Sequence, residues 1–371
     1  MLQFLTAGES HGPCLTAIVE GLPAGVPLTE EWINRDLARR QVGYGRGGRM
    51  QVEYDVAALL GGVANGRTIG APLSLQVANR DWVHWQGREE PIWTVPRPGH
   101  ADLPGSRKYG LDDLRLVAER ASARETAARV AVGAAARALL AEVGVRVGSY
   151  VEAIGGQHAK VRERAAAALI DAAERSIVRC PDPQAAAKMQ QAIDAARAVG
   201  ESLGGWFVVV VLGVPAGLGS HVHWDRRLDG RLAQAVMSVP AVKGVEIGEA
   251  FANAALPGTA VHDAFVQTPD GGWMRASNRA GGLEGGITNG QPLWLRAAMK
   301  PIPTTGHGLP SFDVQTGQPA PSPHPRADVC AVPAAGVVAE AMVCWVLAQA
   351  LLERHGGDTL AQIQQGVARD R

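Results

Sequence analysis

The stretch GYGRGGR, residues 43–49, decides what kind of fold this chain has. It contains the spacing G-x-G-x-x-G at Gly43, Gly45 and Gly48, which in a dinucleotide-binding unit follows a strand and opens a helix. Here the order is reversed. A helical pattern, TEEWINRDLARRQ, capped by Thr29, precedes the glycines, and the strand-like run MQVEYDVAALLGG follows them. The stretch is therefore a glycine-lined loop rather than a dinucleotide fingerprint. It carries Arg46 and Arg49, with Arg39 and Arg40 just upstream. Guanidinium forks on a loop that admits close backbone approach suit phosphate or carboxylate, so a small, multiply anionic ligand is the first candidate here. An RGG-like nucleic-acid contact is the rival reading, and a formal net charge of zero, from 36 basic and 36 acidic residues, argues against it.

Outward from this loop, strands and helices alternate irregularly. VRVGSYVEAIGG reads as a strand, RERAAAALIDAAERS and DPQAAAKMQQAIDAARAVGES as helices, and GGWFVVVVLG as a buried strand. RLDGRLAQAVMSV is helical, KGVEIGEAF and QPLWLRAAMKPIPT are strand-like, and GGLEGGITNG is a glycine loop. The segment PRPGHADLPGSRKYG, residues 96–110, has too many prolines and glycines for an element and is expected to be a long functional loop. Ser122 and Glu125 have the capping-box spacing, so an alanine-rich helix should begin there and end at Gly144. The last expected element is a helix from about 334 to 354, opened by Pro333 and stopped by Gly356 and Gly357. No repeat and no regular βαβ alternation is visible, and no linker divides the chain. The expectation is an α+β fold with antiparallel sheets in one domain, residues 1–371.

Composition narrows the class. With 46% hydrophobic residues the chain can fill a sizeable core, and its start, MLQFLTAGESHG, lacks the pattern of a secretory signal, which points to the cytoplasm. The apolar segment 334–352 contains Glu340 and Gln349 and reads as a buried helix rather than a membrane span. Cys14, Cys180, Cys330 and Cys344 have no CxxC spacing, so reduced thiols and no metal site are expected.

Further candidate groups lie in loops. In RASARET, Arg120 and Arg124 flank Ser122 at the expected helix start, where open N–H groups favour an anion. Gly285 and Gly286, then Lys300 followed by Pro301, Ile302, Pro303 and Thr304, resemble the walls of a flat pocket with one fixed cation. Arg326 and Asp328 stand two residues apart before the last helix and point the same way if extended. His11 in GESHGP and His100 in RPGHAD each sit among turn formers, with no second ligand at helical spacing, so an acid–base role is favoured over metal ligation.

Taken together, GESHG, RRQVGYGRGGRM, RPGHADLPGSRKYG, RASARETAARVAVG, MSVPAVKGVEIG, GGLEGGITNG, AAMKPIPT and RADVCAVPAAGVVAEAM stand in the order and near the spacing of one family. The chain resembles the chorismate synthases along nearly its whole length. That resemblance implies conversion of 5-enolpyruvylshikimate-3-phosphate to chorismate with reduced FMN and no net redox change. It also implies a β-α-β sandwich, antiparallel sheets around a helical layer, and a homotetramer. Carried to matching positions, it assigns FMN contacts to Arg120, Ala121, Ser122, Pro240, Ala241, Gly285, Lys300, Pro301, Ile302, Pro303, Thr304 and Arg326. Arg40 and Arg46 match positions for NADP or for the anionic groups of the substrate, and Arg49 and Arg124 are read with them. His11, His100 and Asp328 match the catalytic set: His11 beside the departing phosphate, His100 as proton donor to the flavin ring, Asp328 near the flavin N5.

The chain departs from the family pattern at Gly48, Gly99, Ala327 and Pro240, where other residues are common, but no acid–base group is lost. NADPH is the candidate reductant. No extra domain for flavin reduction is visible, which leans toward a separate reductase as partner, with no nucleic acid and no membrane involved. A flavin oxidoreductase with net electron transfer and an RGG-like nucleic-acid module are the rival functions, and neither accounts for all the segments.

Overall fold

The structure is a computed structural model that describes residues 1–47, 54–88, 91–161, 165–323 and 328–370. The chain begins with strands β1 (Gln3–Ala7) and β2 (Cys14–Glu20), then helix α1 (Glu30–Gln41), β3 (Ala57–Gly61) and β4 (Leu73–Ala78). These strands form an antiparallel sheet in the order β1-β2-β4-β3. Three helices follow, α2 (Asp102–Tyr109), α3 (Leu114–Ala121) and α4 (Thr126–Ala141), and then β5 (Arg146–Ile154) and the short β6 (Gln157–His158). After α5 (Ala166–Glu174) and α6 (Pro183–Ala198) come β7 (Gly205–Leu212), α7 (Leu228–Met237), β8 (Val242–Ile247) and β9 (Leu293–Met299). The second sheet is antiparallel throughout, in the order β8-β9-β7-β5-β6. The chain closes with α8 (Val332–His355) and α9 (Leu360–Arg369).

The two central helices explain the alanine content. α4 packs on β1, β2 and β4, α8 packs on β5 and β7, and the two helices pack on each other. Their contact is close enough that a Cβ added at Gly133 of α4 would lie 2.3 Å from the Ala341 Cβ of α8. Small residues let the backbones approach, and nearly every residue of both helices is buried. α8 is long and apolar enough to cross a membrane by composition, yet 89% of its most apolar stretch is buried inside the protein. In β7 the run Phe207 to Val211 is buried, as suits β-branched residues in a strand covered on both faces.

Most expected elements form where the sequence places them, with instructive differences. The 96–110 stretch is not all loop, because α2 occupies its second half. Pro104 falls in the first turn, where its missing N–H is no loss, and a Cβ at Gly105 would lie 2.4 Å from a methyl carbon of Val117 on α3. Those residues read as breakers but are requirements of helix packing. Ser122 does cap, accepting from the Arg124 N–H at 3.2 Å, but it caps a 3-10 turn, Ala123–Glu125, and α4 starts only afterwards. The Glu125 side chain turns to Arg129 and Thr6 instead of closing a capping box. A capping box does form at Thr359 and Gln362, opening α9, a helix beyond the last expected element. GGLEGGITNG includes the two-residue strands Leu283–Glu284 and Ile287–Thr288, paired as a hairpin. The four cysteines are free thiols, and among the described residues no cluster of His, Cys, Asp or Glu is placed to hold a metal.

Candidate active site

The turn between β1 and β2 presents His11, and α3 holds it. The His11 Nδ1 lies 2.6 Å from Glu119 Oε1, and its backbone N–H donates to Glu119 Oε2 at 2.6 Å. Ser10 N–H donates to the Glu119 carbonyl at 3.1 Å, and Asn79 Nδ2 donates to the Ser10 and Gly12 carbonyls. Burial alone would raise the Glu119 carboxyl, but the two His11 hydrogen bonds and nearby positive charge hold it below its ordinary value. The Trp85 ring covers the imidazole, with centroids 4.1 Å apart. With Nδ1 fixed on a carboxylate, proton exchange at His11 runs through Nε2.

The end of α3 and the turn after it join this histidine to the arginines. Ser122 Oγ bonds Ser10 Oγ at 3.1 Å and caps Arg124. Arg120 donates to the Gly8 carbonyl and to Thr6 Oγ1, so its guanidinium lies along the end of β1. Arg124 and Arg40 share the buried Asp55 carboxylate, Arg40 at 3.1 Å and Arg124 in a shorter contact. Arg40 also bonds Thr126 Oγ1 at 2.9 Å and the Ala123 carbonyl at 2.8 Å, which occupies all three of its nitrogens. Burial first, and then the charges of Arg46 and Arg124, pull Arg40 down to about 10 although Asp55 and Asp328 oppose the shift. Three guanidiniums, of Arg40, Arg46 and Arg124, thus stand here with the two carboxylates of Asp55 and Asp328. Arg39 does not belong to this arginine floor. Its guanidinium turns the other way, to Asp36, Glu174 and the buried Glu340.

Arg46 closes the floor. Its Nη1 bonds Asp328 Oδ2 at 2.9 Å, while Asp328 Oδ1 accepts the Gly47 N–H at 2.7 Å. Asp328 was expected beside Arg326, which lies outside the described residues, as do Arg49, Gly48 and Ala327.

His100 stands at the start of α2, with Nδ1 2.6 Å from Asp102 Oδ1. The same carboxylate takes the Arg97 fork at 2.8 and 2.9 Å and the Arg97 backbone N–H at 3.1 Å. Burial would raise Asp102, but the His100 and Arg97 bonds hold it well below the carboxylate range. The ionised carboxylate can only accept, so its 2.6 Å contact places the proton on Nδ1 of His100 and outweighs the longer 3.2 Å approach of the Arg97 Nη2 donor, leaving Nε2 as the ring nitrogen without the proton in the neutral imidazole. Lys300 Nζ donates to the Gly99 carbonyl at 3.3 Å and the Pro301 carbonyl at 3.5 Å. Among the described residues it has no carboxylate partner, and burial and then Lys243 hold its pKa below the ordinary lysine value. Its backbone N–H bonds the carbonyl of Ala241, which holds φ +67, and Pro303 stands within 3.5 Å of a Cβ built on Gly99. Arg129, in the first turn of α4, links Glu125 to the Ser238 carbonyl.

The structure thus connects the His11 turn, Arg120, Ser122, Arg124 and Arg40 through hydrogen bonds, sets the Arg46–Asp328 pair close enough to act on the charge of Arg40, and joins His100 with Lys300 through Gly99. It does not bring Gly285 into contact with them. That turn meets the start of α7, a helix about 15 Å long that ends before Pro240, and a Cβ at Gly285 would touch only His221. Sequence reading missed Glu119, Asp55, Arg97 and Trp85. Asp102, two residues after His100, carried a signal, whereas Glu119 lies 108 residues from its histidine.

The arginine floor suits an anion of several charges, and two imidazoles, each with Nδ1 on a carboxylate, stand in the same set of loops. This is the equipment of an enzyme that expels an anionic group from a small polyanion. The family model for chorismate synthase matches residues 2–352. A chorismate synthase of Moorella thermoacetica is 57% identical, covering 99% of this chain and 98% of its own length, and that of Geobacillus kaustophilus is 52% identical, covering 100% and 98%. A crystal structure of chorismate synthase superimposes with a TM-score of 0.81 at 44% identity, over 99% of this chain and 96% of its own. The chain belongs to the chorismate synthase family, lyases of aromatic amino-acid biosynthesis that form chorismate by eliminating phosphate from 5-enolpyruvylshikimate-3-phosphate.

Proposed function

We propose that this chain performs that 1,4-elimination with reduced FMN, and that His11, His100 and Asp328 are its acid–base groups. The observation that carries the reading is the convergence on the turn Ala123–Glu125: Ser122 ties it to the His11 turn, and Arg124 ties it to the arginine floor. The residues fit a flavin on grounds of their own, because Lys300 is a half-buried cation held only by carbonyls among the described residues. Lys300, Pro301, Ile302, Pro303 and Thr304 would hold it together with Arg120, Ala121, Ser122, Pro240 and Ala241. Arg326 and Gly285 join this set by family resemblance.

The substrate has no carbonyl beside C6 to acidify its hydrogen, so a side-chain base alone faces too high a barrier. The chemistry supplied by bound reduced FMN is a reversible supply of electron density across the 1,4 relationship. His11 Nε2 donates to the departing phosphate, with Glu119 fixing the ring. His100 Nε2 would hold a proton for the flavin, and Asp328 would accept one as the C6 hydrogen leaves. Arg46 and Arg40 serve the substrate anions, Arg40 held in place by its bonds to Thr126, Asp55 and Ala123, which use three of its five N–H groups.

The same reading takes the two sheets with α4 and α8 between them as one β-α-β sandwich domain, supported by a core that runs from Leu2 to Val367. We also place the protein in the cytoplasm as a homotetramer, with flavin reduced from NADPH by a separate reductase. Exposed Phe251, Phe265 and Trp273 support assembly. An anaerobic assay with the enolpyruvyl substrate and chemically reduced FMN tests the function: phosphate and chorismate should appear together while flavin is used in catalytic amounts. Oxidation of one flavin per chorismate would mean a net-redox enzyme.

A further inference from the structure

The pairing of Arg46 with Asp328 joins a group proposed to bind substrate to a group proposed to do chemistry. Arg46 is largely buried, yet among the described residues one of its nitrogens, Nη1, is paired, and its buried Nε has no hydrogen-bond partner there. A buried donor left unpaired forfeits its hydration without a replacement, so this arrangement is not the one in which the guanidinium is best satisfied. Its fork suits a bidentate anion, which would take Nε and an Nη together.

The backbone around the pair is fixed independently of it. Val329 N–H donates to the Gly45 carbonyl at 2.7 Å, and Leu203 N–H donates to the Val329 carbonyl at 2.8 Å. Tyr44 is tied through its N–H to the Ile177 carbonyl and through its hydroxyl to Asp194. Rotation of two side chains can therefore break the ion pair without moving either segment. The three guanidiniums of Arg40, Arg46 and Arg124 outnumber the carboxylates of Asp55 and Asp328 with which they pair, which suits the approach of a further anion.

We propose that Asp328 is a displaceable counter-ion: it holds Arg46 while the site lacks substrate and yields it to a carboxylate or phosphate of the substrate. The exchange frees the carboxylate only once substrate is present. This rests on the placement of Arg46 and Asp328 in the active site under the proposed function. Asp328 then competes with the substrate for Arg46, a role opposite in sign to that of a loop anchor.

The test is calorimetric titration of the full chain, with oxidised FMN, by 5-enolpyruvylshikimate-3-phosphate. It compares the parent, Asp328→Asn, Arg46→Ala and the double variant. Asparagine keeps an oxygen for the Gly47 N–H, and melting temperatures report whether each variant is folded. Asp328→Asn should tighten binding by about tenfold, the equivalent of one half-buried ion pair, and should have no effect when Arg46 is already alanine. Weaker or unchanged binding in Asp328→Asn, with Arg46→Ala still weakening it, overturns the exchange but leaves the site standing. Equal tightening in both backgrounds also overturns it, because through-space repulsion would then suffice. If neither single substitution changes affinity, the placement of Arg46 in the site fails as well.

Discussion

Replacing Asp102 with asparagine should silence His100 without removing it. The carboxylate receives four donors: the Arg97 backbone N–H and Nε on Oδ2, and the Arg97 Nη2 and His100 Nδ1 on Oδ1. An asparagine has one acceptor oxygen to offer. The two Arg97 donors on the Oδ2 side cannot become acceptors, whereas the imidazole can change tautomer, so the amide oxygen should take the Oδ2 position and its NH2 should face His100. Nδ1 then accepts, and Nε2, the atom proposed to exchange protons, becomes a fixed N–H. Turnover should fall by about 10²–10⁴, the range for lost acid–base catalysis, with substrate affinity nearly unchanged. The half-stranded Arg97 should cost about 3 kcal/mol of stability, the lower end for breaking a buried ion pair.

Steady-state kinetics with reduced FMN gives the first number, urea unfolding the second, and nitrogen NMR of labelled histidine reads the tautomer. Acid sensitivity adds a signed check. Asp102 is held below its ordinary value of 3.8, so its contribution is complete above about pH 4 and is lost as pH falls through the lowered folded value. The variant should lack that part of the acid destabilisation. Turnover within threefold of the parent, with the tautomer unchanged, would refute the reasoning.

Three other outcomes follow from the same geometry. His11→Ala should slow turnover by about 10²–10⁴ while circular dichroism stays native, and near-normal turnover would return His11 to an ordinary turn residue. Arg46→Ala should weaken equilibrium binding of the enolpyruvyl substrate by about 2–5 kcal/mol, reduced by whatever Asp328 withholds in the parent; calorimetry measures it. Glu340→Gln should destabilise by about 3–5 kcal/mol in urea, because Arg39, Arg137 and Arg179 all lean on that buried carboxylate. Burial would raise Glu340, but the arginines hold it to about 2 against an ordinary 4.5, so its contribution is complete above pH 4.5 and fades toward pH 2.

Local signals made the long elements and the site loops legible. The buried strand β7, the alanine-rich α4 and the capped α1 carry periodicity and end signals within a few residues; β7 and α1 form as read, and α4 forms with its start moved past the 3-10 turn that Ser122 caps. α2 was hidden because proline and glycine usually break helices, and only the neighbouring Val117 shows why Gly105 is needed. His11 and His100 stand out as histidines among turn formers, but what orients His11 comes from 108 residues away, and no spacing rule reaches that far. Arg39 and Arg40 show the same limit. One step along a helix turns a side chain by about 100°, so adjacent arginines with identical chemistry serve opposite sides of α1.

That divergence also explains how the anion floor is kept rigid. Arg39 anchors one side of the C-terminal turn of α1 to Glu340 on α8, and Arg40 anchors the other to Asp55, Thr126 and Ala123. The loop that carries Arg46 leaves a helix end gripped from both sides, and its far end is pinned where Gly45 accepts from Val329. A site that must hold several negative charges against each other gains from guanidiniums that need no rearrangement, because reorganisation would otherwise oppose binding. The buried ion pairs around Glu340 need not add net stability to have this use. They help fix the direction of Arg40, which shares Asp55 with Arg124, while the Arg46–Asp328 pair stands beside them with the buried Nε of Arg46 still to satisfy.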